Sequence, residues 1–362
     1  MSLTQNKIAI ISDSLGNGGA ERFAAVLSGM LSDLDYEIYH IIINDQIDYE
    51  FSGTVFNLGK LCGNDSSWVK KIRKGILLKR YLKQENINTI IDNRTRSLLL
   101  RELFTKWIYG KRRLFYMVHS YHLGYYFPTP VFFTKIIGHD LEKIICVSKA
   151  IEDQVKIKYH FKNTITIYNA FEAYQNEKIV AIETAENYIL FFGRIEEKVK
   201  NFQLLLEAYA DSKIYEKGFQ LLIMGDGPDV LFVEDLIRQL KLSAYVRRIP
   251  FHKNPFDYVK RAKFTVLTSR FEGFPMSIIE SLALETPVIS VDCKSGPSEL
   301  ISNEKNGLLV ENHNRIALAH AMNRMIDNGI LYRTCKNNAR KSISHLSKEV
   351  ISKQWEMILS ED

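Results

Sequence analysis

Short apolar runs alternate with helix-like segments along this chain, and the pattern occurs twice. The first series is "KIAIISD", "YEIYHIIIN", "INTIIDN", "RLFYMVHS", "KIICVSK" and "NTITIYN". The second is "YILFFGR", "FQLLIMGDG", "YVRRIPF", "FTVLTS" and "PVISVD". Strands with few polar positions, separated by helical segments, imply parallel sheets covered on both faces. Between the two series lies "AFEAYQNEKIVAIETAEN", which is polar and has no strong period. The expected fold class is therefore α/β, with two Rossmann-like, doubly wound domains. Their expected bounds are 1–170 and 188–345, with a linker at 171–187. A chain of 362 residues is too long for one ordinary core and suits two. The last segment, "SKEVISKQWEMIL", is amphipathic.

No apolar run is long enough to span a bilayer. The first strand has an apolar core of about six residues, too short for a secretory leader. Both points predict a cytoplasmic protein. Cys62, Cys146, Cys293 and Cys335 have no metal-ligand spacing and read as buried reduced thiols.

Ligands of doubly wound sheets bind at the strand ends, so the loops there hold the candidate residues. In "TSRFEGFPMSIIESLALETPVISVD", Glu272 precedes a Gly-Phe-Pro turn and Glu280 lies one turn into the next helix. One reading is local, with Ser277 and Glu280 forming a capping box. The other is functional. Helix-start amides of Phe274, Met276 and Ser277 act as donors, while a carboxylate accepts two hydrogen bonds from a vicinal diol. Arg194, Lys198 and Lys200 follow a buried strand and suit a diphosphate. Gly18 and Gly19 open the first helix, where bare backbone can approach a phosphate.

"GGAER", "GRIEEKVKNFQLLLEAY", "LLIMGDGP", "EGFPMSIIESLALETPVIS", "SGPSELI" and "NGLLV" occur in that order. Together they resemble the motifs of family-4-type retaining glycosyltransferases. "FHKNP" and "DCKSGPSEL" resemble the subset that builds bacterial surface polysaccharides and lipid-linked oligosaccharides. The resemblance covers most of the C-terminal half. In the N-terminal half it rests on the glycine loop, "MVHS" and the "CVSK…IYN" run. It implies the GT-B fold, two domains facing across a cleft, with residues 346–362 returning to the N-terminal domain. It also implies roles: Glu272, with the amides of Phe274 and Met276, for the donor sugar, and Glu280 for the ribose. Arg194 and Lys200 would bind the diphosphate with Gly19 opposite, and backbone at Ile249 would meet the base. His119 would lie near the anomeric carbon and the acceptor, with His122 as the alternative.

Three positions depart from the family pattern. Val199 stands where a lysine is usual, which leaves both Lys198 and Lys200 as candidates. Glu285-Thr286 precedes "PVI", and Pro250 replaces a glycine after "VRRI".

The implied reaction is hexose or N-acetylhexosamine transfer from a nucleotide sugar, expected to be a UDP-sugar, to a lipid-linked glycan. Cationic side chains and helix N-termini can stabilise a departing diphosphate, so no metal or other cofactor is expected. The one Asp-x-Asp, Asp33-Leu34-Asp35, reads as a surface turn. A sugar-nucleotide epimerase is one rival reading and would need added acids or bases at the anomeric and C2 positions. A non-catalytic subunit of a polysaccharide assembly complex is another.

Between Lys60 and Arg113, fifteen basic residues stand against four acids, although the whole chain carries only +6. "SSWVKKIRKGILLKRYLK" places Trp68, Ile72, Ile76 and Leu77, with Tyr81, near one helical face. It reads either as a packed helix with a charged outer face or as a helix docking on anionic lipid. The second reading predicts a peripheral protein at the inner face of the plasma membrane. No nucleic-acid module is apparent.

Overall fold

Strands that are apolar at every position need cover on both faces, and each sheet here is flanked by helices. The computed structural model describes residues 7–16, 18–63, 67–138, 140–171, 187–252 and 254–361. It divides into two units, Met1–Ala170 with Lys348–Asp362, and Phe171–Ser347. Of the linker predicted at 171–187, only Phe171 and Asn187 are described.

The first unit holds β1 (Lys7–Ser12), α1 (Gly19–Asp33), β2 (Glu37–Ile42), β3 (Thr54–Asn57), α2 (Leu58–Cys62) and α3 (Trp68–Gln84). It continues with β4 (Thr89–Asp92), α4 (Leu99–Tyr109), β5 (Arg113–Val118), α5 (Val131–Gly138), β6 (Lys143–Cys146), α6 (Lys149–Tyr159) and β7 (Thr164–Thr166). The strand order is β3-β2-β1-β4-β5-β6-β7, all parallel.

The second unit holds β8 (Tyr188–Phe192), α7 (Glu197–Lys200), α8 (Phe202–Ser212), β9 (Gln220–Met224), α9 (Val230–Gln239), β10 (Val246–Ile249) and α10 (Phe256–Arg261). Then come β11 (Thr265–Leu267), α11 (Met276–Ala283), β12 (Val288–Asp292), α12 (Pro297–Leu300), β13 (Gly307–Glu311), α13 (Arg315–Asp327) and α14 (Gly329–Ser342). Its order is β10-β9-β8-β11-β12-β13, again parallel. Alternate residues of β8 enter different cores. Ile189 and Phe191 pack with α8 and α13 residues, while Tyr188, Leu190 and Phe192 pack on the opposite face with Val259 and Ala262.

Helix α15 (Lys348–Ser360) belongs to the first unit. Its Trp355 is fully buried, 6.4 Å from the ring of Phe23 on α1. Arg113 Nη1 donates to Leu359 O at 2.7 Å, and Lys348 pairs with Asp33 at 3.0 Å.

In both sheets the order reverses beside the first strand, at β1/β4 and at β8/β11. The loops leaving those strand pairs are the topological switch points where such sheets bind ligands. The elements β3, α2, α4, α5, α6, α7, α10, β13, α13 and α14 were not anticipated from the sequence.

Candidate functional site

In the second unit, the loops after β8 and β11 carry the predicted residues. Gly193 ends β8 with φ +144°. The carbonyl of Gly193 approaches Gly225 so closely that a Cβ on Gly225 would lie 1.9 Å from it. Gly193 N donates to Met224 O at 3.0 Å and Gly225 N to Ile249 O at 2.9 Å. Three adjacent strand ends are thereby locked together by backbone alone. Arg194 is exposed, with Nε 3.3 Å from Glu196. Lys198 is exposed as well, but Lys200 turns inward.

Lys200 Nζ donates to Glu272 Oε1 at 2.6 Å, and Ser269 Oγ donates to the same oxygen at 2.6 Å. Both bonds fall on Oε1, so the carboxylate is oriented while Oε2 remains for another donor. The Lys200 backbone is held too, because Thr268 Oγ1 donates to its carbonyl at 2.8 Å. Arg270 N donates to Val199 O at 2.8 Å.

The turn "EGFP" is braced by the loop after β12. Glu272 N donates to Lys294 O at 2.9 Å, and Ser295 Oγ donates to Gly273 O at 2.8 Å. Gly296 has φ +100°, and a Cβ there would lie 2.5 Å from Pro275 Cδ. Gly296→Ala is therefore expected to destabilise the protein by about 1–3 kcal/mol and to weaken ligand binding at the turn. Paired thermal melts and nucleotide titrations check this; an unchanged melt and affinity would show that the turn does not depend on that packing.

Helix α11 starts at Met276 with Pro275 as N-cap and no side-chain cap bond. Within its first turn, Ile278 N donates to Pro275 O at 3.1 Å. The amides of Met276 and Ser277 precede it and form the donor end of the helix. The capping-box reading fails, because Pro275 sets the helix start and places Ser277 inside the first turn. Ser277 offers its carbonyl to Ser281 Oγ at 2.7 Å instead. Phe274 is buried, and Glu280 is only 3% exposed.

In the first unit, α1 begins at Gly19 with Gly18 as N-cap. A Cβ on Gly19 would meet nothing within 4 Å, so its outer side is open; one on Gly18 would collide with the Glu21 carboxylate. Asn17 of this loop, and Lys253 of "FHKNP", lie outside the described residues.

His119 follows β5, and its Nε2 makes a short hydrogen bond with Asn93 Oδ1 at the end of β4. Asn93 Nδ2 donates to Ala20 O on α1 at 2.8 Å. That carbonyl can only accept, which fixes the amide orientation and makes Nε2 the protonated nitrogen of His119. Nδ1 is then the acceptor. Burial, then the Arg96 charge, push the His119 pKa down to about 3, so the ring is neutral at physiological pH. Phe23 packs edge-on against it at 5.0 Å. The rival, His122, is exposed and lies 4.6 Å from the Tyr125 ring. Asn93 escaped the sequence reading, since a small polar residue after a strand carries no signature of its own.

A buried ionic cluster supports this corner. The Arg94 guanidinium makes two bonds to the Asp92 carboxylate, at 3.0 and 2.7 Å, its backbone N–H a third at 3.1 Å, and Tyr109 a fourth at 2.7 Å. Arg96, fully buried, donates to the carbonyls of Asp92, Arg94 and Met117 at 3.0, 2.8 and 2.8 Å. It ties together the strand ends that carry Asn93 and His119. Burial alone would raise the Asp92 pKa, but Arg94 and Arg96 hold it down at about 2.

The basic segment is thus less superficial than its sequence suggests. Arg94 and Arg96 are internal, and Lys74 is 7% exposed with Nζ donating to Ile43 O at 2.7 Å. The packed face of α3 is Lys74, Gly75, Leu78 and Leu82, while Trp68, Ile72 and Ile76 are exposed. The helix is packed and carries charge outside, but the apolar face predicted from Trp68, Ile72 and Ile76 is not the packed one. In Asp33-Leu34-Asp35, Asp33 ends α1 and pairs with Lys348, while Asp35 has φ +62°.

Residues 174–342 match the family model described as glycosyl transferases group 1. A relative from Campylobacter jejuni is 28% identical over 370 residues, spanning 96% of this chain and 97% of that protein. It is an N-acetylgalactosamine-N,N'-diacetylbacillosaminyl-diphospho-undecaprenol 4-alpha-N-acetylgalactosaminyltransferase. The amylovoran biosynthesis glycosyltransferase AmsD of Erwinia amylovora is 24% identical over 362 residues, spanning 98% of this chain and 99% of its own. Among solved structures, a variant of S. aureus TarM in complex with fondaparinux, alpha-GlcNAc-glycerol and UDP superposes with a TM-score of 0.80 at 15% identity. That match covers 98% of this chain and all of the other, and it establishes the GT-B fold.

Proposed function

The chain is a glycosyltransferase whose C-terminal unit carries the group 1 family, and from that premise we propose its donor, acceptor and residue roles. It transfers a hexose or N-acetylhexosamine from a UDP-sugar to a glycan carried on a polyprenyl diphosphate, with retention of configuration. The observation that carries this reading is the Lys200–Glu272–Ser269 cluster beside the start of α11. It sets an oriented, half-engaged carboxylate next to an ammonium, close in sequence to the start of α11, which has no side-chain cap. A sugar linked to a diphosphate needs those two chemistries side by side. The relative acting on an undecaprenol diphosphate and the neighbour with UDP bound support the choice of acceptor and donor.

Glu272, with the amides of Phe274 and Met276, holds donor-sugar hydroxyls. Glu280 takes the ribose, Ser277 adds a helix-start amide, and backbone at Ile249 meets the base. Lys200 and Arg194 bind the diphosphate, and the bare backbone of Gly18 and Gly19 at the start of α1 is where the N-terminal unit can approach a phosphate. The inward Lys200 and exposed Lys198 favour Lys200 for that role. His119, neutral with Nδ1 as acceptor, serves the acceptor side.

In the step itself, the bond from the anomeric carbon to the phosphate oxygen breaks. A bond to the acceptor oxygen forms on the same face, and the acceptor's proton passes to the departing phosphate oxygen. Fixed cations and amides stabilise the leaving charge, so the reaction needs no divalent metal. Among the described residues no helix is long and apolar enough to cross a membrane, and an enzyme with a lipid-borne acceptor works as a peripheral protein at the cytoplasmic face.

A panel of nucleoside diphosphates and sugar nucleotides, read by thermal shift with and without EDTA, tests the donor site. A ligand binding only the native state raises the melting temperature by mass action, about 2.7 kcal/mol at a hundredfold excess over Kd. UDP is expected to stabilise the protein equally in both conditions and to fail with Glu280→Ala. Stabilisation that vanishes with EDTA would overturn the metal-free reading, and stabilisation by a different base alone would overturn the choice of UDP.

A further inference from the structure

We propose that the outer face formed by α3 and α4 is a docking surface for an anionic lipid bilayer. The proposal rests on the reading that the acceptor is carried by a lipid. The two helices pack closely because α3 has Gly75 at the contact, where a Cβ would lie 2.5 Å from Phe104 of α4. With their inner faces committed to the core, both helices turn large apolar side chains outward. Trp68, Val69 and Ile72 on α3 are 73%, 77% and 49% exposed. Leu100, Leu103 and Trp107 on α4 are 74%, 48% and 54% exposed, and their i, i+3, i+7 spacing makes them one stripe. The stripes adjoin, because Lys79 of α3 lies over the Trp107 ring at 3.3 Å.

Exposed aromatic and aliphatic groups on two adjacent helices form a patch that monomeric proteins do not normally leave bare. Its occupant is indicated by charge. Lys71, Arg73 and Arg80 are exposed on the same helix, and Lys71 also lies 5.5 Å over the Trp68 ring. A second copy of this chain would set cations against cations. A bilayer surface accepts all of these groups at once. Apolar side chains enter the acyl boundary, tryptophans sit at the headgroup level, and lysines reach anionic phosphates.

The test is flotation of the full chain with vesicles of phosphatidylcholine, alone or with phosphatidylglycerol. The wild type is expected to float only with the anionic lipid, and less as salt rises. Two surface variants, Leu100→Ser/Leu103→Ser/Trp107→Ser and Lys71→Glu/Arg73→Glu/Arg80→Glu, are expected to bind about tenfold less or weaker still. Their melting temperatures and UDP affinities should match the wild type.

Failure of the wild type to float, or flotation of both variants at the wild-type level, overturns the proposal. So does a lower oligomeric state in the apolar variant with flotation intact, which would identify a protein partner. A wild type that floats but binds no nucleotide would instead sink the donor reading and leave this surface standing.

Discussion

Glu272→Ala is expected to slow sugar transfer by about 10²–10³-fold, the loss seen when one fixed polar group is removed from a charge-developing site. The carboxylate is positioned before substrate arrives, with Lys200 and Ser269 both donating to Oε1. A donor hydroxyl meeting Oε2 finds an acceptor whose orientation has already been fixed. Affinity for UDP itself, which has no sugar, should change little in this variant. Lys200→Ala should do the opposite and weaken UDP binding directly, since it removes a charge-assisted contact of about 1.5–3 kcal/mol. Lys198→Ala should leave UDP affinity near the wild-type value. Steady-state kinetics and calorimetry on the three variants decide the matter. A Glu272→Ala enzyme with normal turnover would dismiss the carboxylate from the reaction, and a larger effect at Lys198 would move the diphosphate contact two residues upstream.

The largest stability effect is expected at Asp92→Ala, about 3–5 kcal/mol, a substantial part of the 5–15 kcal/mol that typically holds a protein folded. Its carboxylate faces the Arg94 guanidinium at bonding distance and Arg96 at 3.8 Å, all three of them buried. Removing the anion takes away the carboxylate with which both internal guanidiniums are paired.

The same carboxylate predicts an acid response with a definite sign. Its folded pKa of about 2 lies below the ordinary 3.8, so the stabilisation is complete above about pH 4 and is lost as pH falls toward 2. Denaturant melts of wild type and variant at pH 7 and pH 3 provide the check. The gap between them should narrow in acid. A gap below about 1 kcal/mol at neutral pH would mean that water or rearrangement satisfies the two guanidiniums.

The C-terminal unit was the more legible half, for a physical reason. Its site is built mainly from loops at the ends of β8, β11 and β12, and Lys200, Glu272 and Gly296 each fall inside a short recognisable string. The N-terminal corner is assembled differently. Asn93 matters because it bridges a ring on one strand end to a carbonyl on a helix, and neither partner is adjacent in sequence. Helix α4 inverts the usual pattern: Glu102 and Thr105 are among its buried residues, while Leu100, Leu103 and Trp107 are exposed.

Charge was misread for a related reason. Lysines and arginines cluster in the segment, but sequence does not show which of them have buried acceptors. Asp92 captures Arg94, and backbone carbonyls capture Lys74 and Arg96. What remains outside is a smaller set of cations beside a larger apolar surface than the composition implied.

The placement of α15 has a consequence for how the protein is made. A ribosome releases the chain from its N-terminus, and domains generally fold as they emerge. The N-terminal sheet cannot finish that way. Trp355, wholly buried in the first unit, is synthesised only after the entire second unit. Until it arrives, Phe23 lacks one of its two aromatic neighbours among the described residues, and the other is the ring of His119. The nascent protein therefore carries a completed second unit before its first unit is fully packed. A chain interrupted before residue 348 would have its second unit complete while its His119 corner stayed unsupported.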